Sequence, residues 1–442
     1  MSPSVLLINP WIYDFAAYDL WSVPLGLLYL SDWLRKAGFD VTLVDCLDRL
    51  HPNSQAPAGR KNQPPGSGQY FRRAVPLPDV YKDIPRQYAC YGLPEDVFLA
   101  DIQAVPEPDL ILVTSAMTYW YPGVFRAIEL VRSVHGQVPI ILGGTYATLC
   151  HDHAKANSGA DMVIAGPGEN VLPDIIRDTL GLDIPIPASP WHALRPNLSL
   201  YPKLEFAPLM TSRGCPGRCP YCASRQLHRG FFQRPVDDVL AEIENCIAMG
   251  IQHFAFFDDA LLINAEKHLI PILDTIIRQK WTTFFHAPNG MHVGRISQDL
   301  ADLMYRSGFR TIRLGVESLI PERQNELGAK LEIDQFQSAA ENLHSAGFEY
   351  NQVGAYILYG LPGQDIREVL KTCQMVKQAG VRPYLAEFSP LPGTTLWPDA
   401  LKHSPFDLQS EPLYHNNTFF PCRTPEFTWD LVWQIKREAL DR

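Results

Sequence analysis

The stretch TSRGCPGRCPYCAS (211–224) sets Cys215, Cys219 and Cys222 in a C-x3-C-x2-C spacing. Thiolates are soft ligands that favour iron–sulfur clusters or zinc. A structural zinc site wants a fourth close ligand, usually from a second C-x2-C or H-x3-H pair. None follows at that spacing, and His228 is the one nearby candidate. Three thiolates on a cubane leave one iron open, as a substrate-activating 4Fe–4S cluster requires. Gly214, Pro216, Gly217 and Pro220 let the loop curl around a bulky object. Tyr221, just before the third cysteine, is placed for its ring to cover that object.

Downstream of the loop the chain alternates between two periods. Strands are expected in EFAPLMTSR (205–213), HFAFFDD (253–259), TTFFHAPN (282–289), TIRLGVES (311–318), YNQVGAYILYG (350–360) and YLAEFSPL (384–391). Helical patterns fill 236–249, 264–279, 297–307, 332–346 and 365–379. Several of these end in a glycine suited to a left-handed cap, at Gly250, Gly308, Gly347 and Gly380. Six β/α units are too few for a closed eight-unit barrel and predict a partial, six-stranded (β/α)6 barrel of TIM type over 205–395. Sites in such folds lie at the carboxyl ends of the strands. The extension 396–442 is aromatic and Pro-containing, and is expected to pack across an opening.

Upstream, short apolar runs also alternate with helices. VLLINP (5–10), FDVTLVDCL (39–47), DLILVTSAM (109–117), PIILGGTYA (139–147) and DMVIAGPGE (161–169) read as strands, and 24–37 as a helix stopped by Gly38. Near-continuous apolar strands between helices imply a parallel sheet covered on both faces. The expectation for 1–180 is an α/β, doubly wound, Rossmann-like domain of flavodoxin type, binding its ligand beyond the strand ends. Residues 48–106 interrupt it with an irregular insert, either a loop packed over the ligand face or a surface excursion. The Pro-rich segment 181–204 reads as a linker.

Composition narrows the classes. The chain has 442 residues, a net charge of −10, 46% hydrophobic and 19% charged residues. That is a globular composition, and its acidic balance argues against a nucleic-acid partner. No apolar run reaches the ~18 residues of a membrane span. The start, MSPSVLLINPW, lacks the basic region of a signal peptide. Nine cysteines, an odd and sparse set, suit a reducing cytoplasm.

The cysteine loop after a first barrel strand resembles the hallmark of the radical S-adenosylmethionine (SAM) superfamily, over roughly 205–395. The resemblance implies that SAM chelates the open iron and that one electron, from a donor such as flavodoxin or ferredoxin, cleaves it. The product is a 5′-deoxyadenosyl radical that abstracts hydrogen. It also implies roles for particular residues. One of Asp258 and Asp259, in FFDDA (256–260), meets the SAM amino group. Glu317 and Ser318 meet the ribose. Gly360, in YILYGLPGQ (356–364), lies near the adenine, with Tyr221 also at SAM. SPLPGT (389–394) is a further recurrent pattern of the superfamily. Asn289 and His292, in HAPNGMHV (286–293), face the substrate.

Residues 1–180 resemble the cobalamin-binding domain of a large, class B-like radical SAM subfamily. Ser115-Ala116-Met117 stands at the third-strand end and Gly143-Gly144 at the fourth. ILGGTYAT and GADMVIAGPGEN match the recurrent GG-x-[HY]-A-T and G-x-G-E patterns. The cobalamin contacts implied are Ser115, Met117, Tyr119, Gly143, Gly144, Gly166 and Glu169. The axial D-x-H-x-x-G motif is missing, and WIYDFAAYDLW (11–21) takes its place. The expected activity is methyl transfer to an unactivated carbon or phosphorus of a small molecule, with a 4Fe–4S cluster, SAM and cobalamin as cofactors. Two alternatives stay open: a cobalamin-domain radical enzyme that cyclises, oxidises or rearranges without methyl transfer, and a cobalamin- or metal-binding sensor without turnover.

Overall fold

A computed structural model describes residues 2–59, 63–187, 194–328, 331–424 and 427–440. The chain divides into two compact units, residues 1–208 with 410–414 and residues 209–409 with 415–442. The six residues 188–193 of the expected linker lie outside the described residues.

The first unit is built on five parallel strands: β1 (Ser4–Asn9), β2 (Asp40–Asp45), β3 (Leu110–Val113), β4 (Ile140–Leu142) and β5 (Met162–Val163). Their order is β5-β4-β3-β1-β2, the doubly wound arrangement in which the order reverses beside β1. β1 sits centrally, so Val5 to Ile8 are buried on both faces, and an unbroken apolar run is what such a strand needs. Helices α1 (Leu25–Lys36), α2 (Glu95–Ala104), α3 (Tyr121–His135), α4 (Thr145–Leu149), α5 (His151–Asn157) and α6 (Leu172–Leu180) supply the crossovers and the closing helix.

The insert is less irregular than its composition predicts. Its last part is α2, held by burial of Phe98 and Ile102 one turn apart. Short strands Arg72–Ala74 and Ala89–Tyr91 join Ile12–Asp14, the segment leaving the carboxyl end of β1, in an antiparallel sheet. Phe15, Tyr81 and Tyr88 pack ring against ring at 5.1–5.6 Å. The buried aromatic rings, each worth about 1.5–3 kcal/mol, explain why a Pro-rich stretch is ordered. Trp11, a residue of the segment that replaces the axial motif, is likewise core. It packs on Phe98 at 4.6 Å and donates its indole N–H to the Leu93 carbonyl.

In the second unit six parallel strands follow in sequence order: β6 (Ala207–Leu209), β9 (His253–Phe256), β10 (Phe284–Met291), β11 (Phe309–Glu317), β12 (Val353–Tyr359) and β13 (Arg382–Glu387). Sequential order with helical crossovers is the open, partial barrel expected. The crossover helices include α7 (Val236–Ala248), α8 (Leu269–Arg278), α9 (Gln298–Ser307), α10 (Ile333–Ser345) and α11 (Ile366–Gln378). Phe254, Phe256, Phe285 and Phe309 fill the core at centroid distances of 5.3–5.6 Å. α9 shows local and global signals in agreement: the Ser297 hydroxyl accepts from the Leu300 N–H at its start. Gly308 ends it at φ +101°, where an added Cβ would lie 2.0 Å from the Thr283 carbonyl oxygen.

The expected first strand 205–213 is two pieces. After β6 the chain turns out of the sheet and forms β7 (Ser212–Arg213), paired antiparallel with β8 (Phe232–Gln233). The cysteine loop is therefore the tip of a hairpin. At the far end, the helix Trp429–Leu440 lies along β13, with Lys436 Nζ 2.6 Å from Glu387.

Candidate cofactor-binding site

The hairpin between β7 and β8 carries Cys215, Cys219 and Cys222 outside any disulfide, the first two half-buried and the third exposed. Gly217 donates its N–H to Cys215 Sγ at 3.3 Å, and Cys222 N–H closes a turn on the Cys219 carbonyl at 3.1 Å. Burial pushes the Cys215 thiol up, and the neighbouring Cys222 and Cys219 add to that. Once ionised, three thiolates this close would repel one another, so the ionised form wants a cation between them. Among the described residues no three His, Cys, Asp or Glu side chains converge on a one-ion site. Three cysteine donors on one short loop fit a cluster that keeps one iron open, whereas a structural zinc site is closed by four ligands.

Around the thiols stand residues from two strand ends. Asp259 is exposed just past β9, with the Ser224 hydroxyl, the Gly214 N–H and Arg213 about it. Tyr221 approaches Glu317 and Cys219, and burial first, then the Glu317 charge, pushes its phenol far up. Glu317 ends β11 at φ +63°, a left-handed conformation costly to a residue with a Cβ, where the register with β12 also slips. That kink turns a buried carboxylate to the Tyr221 phenol. Gly360, at φ +85°, opens a turn clasped by Gln364, whose Oε1 accepts from the Gly360 and Leu361 N–H groups at 2.8 and 3.2 Å. The glutamine of the LPGQ pattern is therefore the turn's clamp.

Other expected site residues have different employment. Asp258, one of the two acids assigned to the SAM amino group, is buried. Its carboxylate accepts from the N–H and hydroxyl groups of both Thr211 and Ser212. Those four donors fill its lone pairs, so Asp259 is the acid with a free approach. Ser318 is buried, and its hydroxyl accepts from the Ile320 N–H at 3.1 Å, which turns it away from a ribose contact. Asn289 donates to the Asp258 carbonyl at 3.3 Å, and His292 is half-buried at the start of the turn Val293–Arg295.

In the first unit the expected cobalamin residues gather at the ends of β3, β4 and β5. Ser115 is buried, donates to the Gly143 carbonyl at 2.6 Å and accepts from the Ala147 N–H at 3.2 Å. It braces the turn rather than offering a free hydroxyl. Gly144 packs so closely that a Cβ would lie 2.2 Å from the Ser115 carbonyl oxygen, whereas a Cβ on Gly143 or Gly166 would meet nothing within 4 Å. Thr148 joins the two turns, donating to the Gly144 carbonyl at 2.7 Å and accepting from the Gly166 N–H at 2.9 Å. These glycines leave an open cradle for a flat group. Met117 is half-buried and Glu169 buried. Tyr119 is buried in a one-turn helix, 6.0 Å from Trp120, so its ring belongs to the core. Sequence reasoning missed Asp45, which ends β2 wholly buried, accepting from Asn9 Nδ2 at 2.6 Å and Tyr201 Oη at 2.5 Å.

The folds and sites define a two-unit cofactor enzyme, with a thiol hairpin on one sheet and a glycine cradle on the other. The radical SAM superfamily model matches residues 209–376, and the B12 binding domain model matches residues 88–176. An uncharacterised methyltransferase of Pyrococcus horikoshii is 23% identical over 71% of this chain and 74% of its own length. The cytidylyl-2-hydroxyethylphosphonate methyltransferase of Streptomyces wedmorensis is 24% identical over 93% of this chain and 84% of its own. Among solved structures, the radical SAM methyltransferase TsrM from Kitasatospora setae superposes with a TM-score of 0.65 at 17% identity, covering 91% of this chain and 76% of that one. The chain thus carries a radical SAM domain and a B12-binding domain. It is a radical SAM enzyme, and the two domains imply a 4Fe–4S cluster, SAM and cobalamin as its cofactors.

Proposed function

We propose that this enzyme transfers a methyl group to an unactivated carbon or phosphorus of a small molecule. The reading rests on one observation: a three-thiol hairpin and an open glycine cradle occur in one chain, and two relatives matched over most of its length carry methyltransferase names. The bound cofactors would supply a hydrogen-abstracting radical and a transferable methyl group. The chain's own part is to bind and orient them. Cys215, Cys219 and Cys222 hold the cluster and leave one iron open. Asp259 accepts hydrogen bonds from the SAM ammonium, Glu317 from the ribose hydroxyls, and the Gly360 turn brings backbone to the adenine. Gly143 and Gly166 admit the cobalamin tail, with Gly144 shaping the turn between them. A small electron-transfer protein would feed the cluster, and cysteines outside disulfides suit a reducing, cytoplasmic setting. Among the described residues no helix is long and apolar enough to cross a membrane.

The test is anaerobic reconstitution with hydroxocobalamin, quantification of iron, sulfide and cobalt, then SAM turnover with candidate substrates followed by product mass. About four irons and one cobalt per chain, with product heavier by one methylene, is the expected result. Four irons, one cobalt and a product of unchanged carbon count would replace methyl transfer with cyclisation, oxidation or rearrangement.

A further inference from the structure

The base of the cysteine hairpin is held from beneath by two buried charged side chains. Asp258 accepts from Thr211 N at 3.1 Å, Thr211 Oγ1 at 2.7 Å, Ser212 N at 2.6 Å and Ser212 Oγ at 2.5 Å. Hydrogen bonds to an ionised acceptor are the strong ones, and here two backbone and two side-chain donors share one carboxylate. On the other strand, Arg234 follows β8 and is 1% exposed. Its N–H donates to the Thr211 carbonyl at 2.9 Å and its guanidinium to the Met210 carbonyl at 3.1 Å. Glu242 on α7 holds that guanidinium at 2.7 Å, and His268 meets the Arg234 carbonyl at 2.9 Å. Thr211 is thus held from both sides, Met210 by Arg234 and Ser212 by Asp258, and Ser212 lies three residues before the first thiol. Above them Gly214, at φ +78°, would bring a Cβ within 2.2 Å of the Gly230 carbonyl oxygen, so the two strands stay in contact up to the loop.

We propose that Asp258 and Arg234 are positioning residues that preorganise the cysteine hairpin for its cluster, and that Asp258 has no contact with SAM. A buried charge is retained at a cost unless it is fully hydrogen-bonded. Both are hydrogen-bonded to the same short stem. A loop of eighteen residues between β7 and β8 would otherwise present its thiols in many arrangements, and the entropy of ordering them would oppose cluster binding. With the stem fixed, most of that ordering precedes the metal. The inference rests on the cluster-binding reading of the three cysteines, and the experiment separates the two.

The parent chain, Asp258→Asn, Asp259→Asn, Thr211→Val and Thr211→Ser are compared for three properties. These are iron after anaerobic reconstitution, the electron paramagnetic resonance signal of the reduced cluster, and trypsin cleavage of the metal-free chain after Arg218, Arg225 and Arg229. Expected is about four irons in the parent and a marked loss in Asp258→Asn, whose remaining signal is broadened over several environments. The metal-free Asp258→Asn chain should be cut about tenfold faster in the loop, with cleavage elsewhere unchanged. Thr211→Val follows the same direction, and Thr211→Ser, which keeps the donor, restores parent values. Asp259→Asn keeps its iron and binds SAM about tenfold more weakly. A fully loaded Asp258→Asn with a parent-like signal and weakened SAM binding would make Asp258 a SAM ligand and overturn the proposal. A global loss of structure in Asp258→Asn, with Thr211→Val parent-like, would also overturn it. A parent chain without iron sinks the cluster reading itself, while the cleavage rates of the metal-free chains still report on the stem.

Discussion

The two sheets solve one structural problem alike and a second one differently. Each ties the end of its second strand to its first with a buried carboxylate. Asp45 reaches Asn9 at the end of β1, and Asp258 reaches Thr211 and Ser212 just past β6. Above that tie they diverge. The first sheet ends in glycines, two of which face open space, and its polar side chains are turned inward to brace the turns. The second ends in side chains, thiols and carboxylates, that stand ready to bind. On the proposed reading, a large flat cofactor would be admitted by removing Cβ atoms, whereas a cluster and a zwitterion would be gripped by adding ligands.

The sharpest way to break this comparison is to remove the ligands of one sheet and look for an effect on the other. A Cys215→Ala/Cys219→Ala/Cys222→Ala chain should fall from about four irons to none, with hydroxocobalamin uptake unchanged. Loss of both would show that the two sites are not independent. Next in size are the paired glycines. Gly144→Ala meets the Ser115 carbonyl oxygen at 2.2 Å with φ at +95°, and should cost ~4 kcal/mol or more in urea unfolding. Gly143→Ala meets no atom, so its stability should match the parent while cobalamin uptake falls. Equal stability losses in the two would remove the cradle from the account.

Acidity sharpens the comparison of the two buried acids. Burial pushes the Asp45 carboxyl up to about 6, against hydrogen bonds from Tyr201, Leu47 and Asn9 that pull it down. A raised folded pKa favours the protonated form. Its stabilisation is therefore complete below the ordinary value of 3.8 and is lost as pH rises through about 6. Asp45→Asn should abolish that dependence, gaining up to about 3 kcal/mol on the parent between acid and neutral pH, at ~1.4 kcal/mol per pH unit. Urea melts across that range check it, and parallel curves for variant and parent would show that folding leaves the Asp45 acidity unchanged. The smallest effect expected is that of Ser115→Ala, about 1 kcal/mol from two hydrogen bonds within the turn. A larger loss confined to cobalamin binding would restore its hydroxyl to the ligand.

The sequence alone determined the two alternating α/β units and the six-stranded order of the second, because apolar periodicity and glycine stops record burial and chain reversal locally. It also singled out the three cysteines proposed as cluster ligands, since three thiols in eight residues carry their chemistry with them. Glycine and hydroxyl residues do not. Whether Ser115 and Ser318 meet a ligand or brace a turn depends on which hydrogen-bond partners lie within reach, and those partners come from residues near and far in the chain. The same limit left Asp258 and Asp259 equivalent in sequence. Only folding, which carries Thr211 and Ser212 some 46 residues back to one of them, buries Asp258 under four donors and leaves its neighbour exposed. The insert shows the converse: its composition signals irregularity, yet rings contributed by Phe15 and by Tyr81 and Tyr88 order it, a contact that no local pattern encodes.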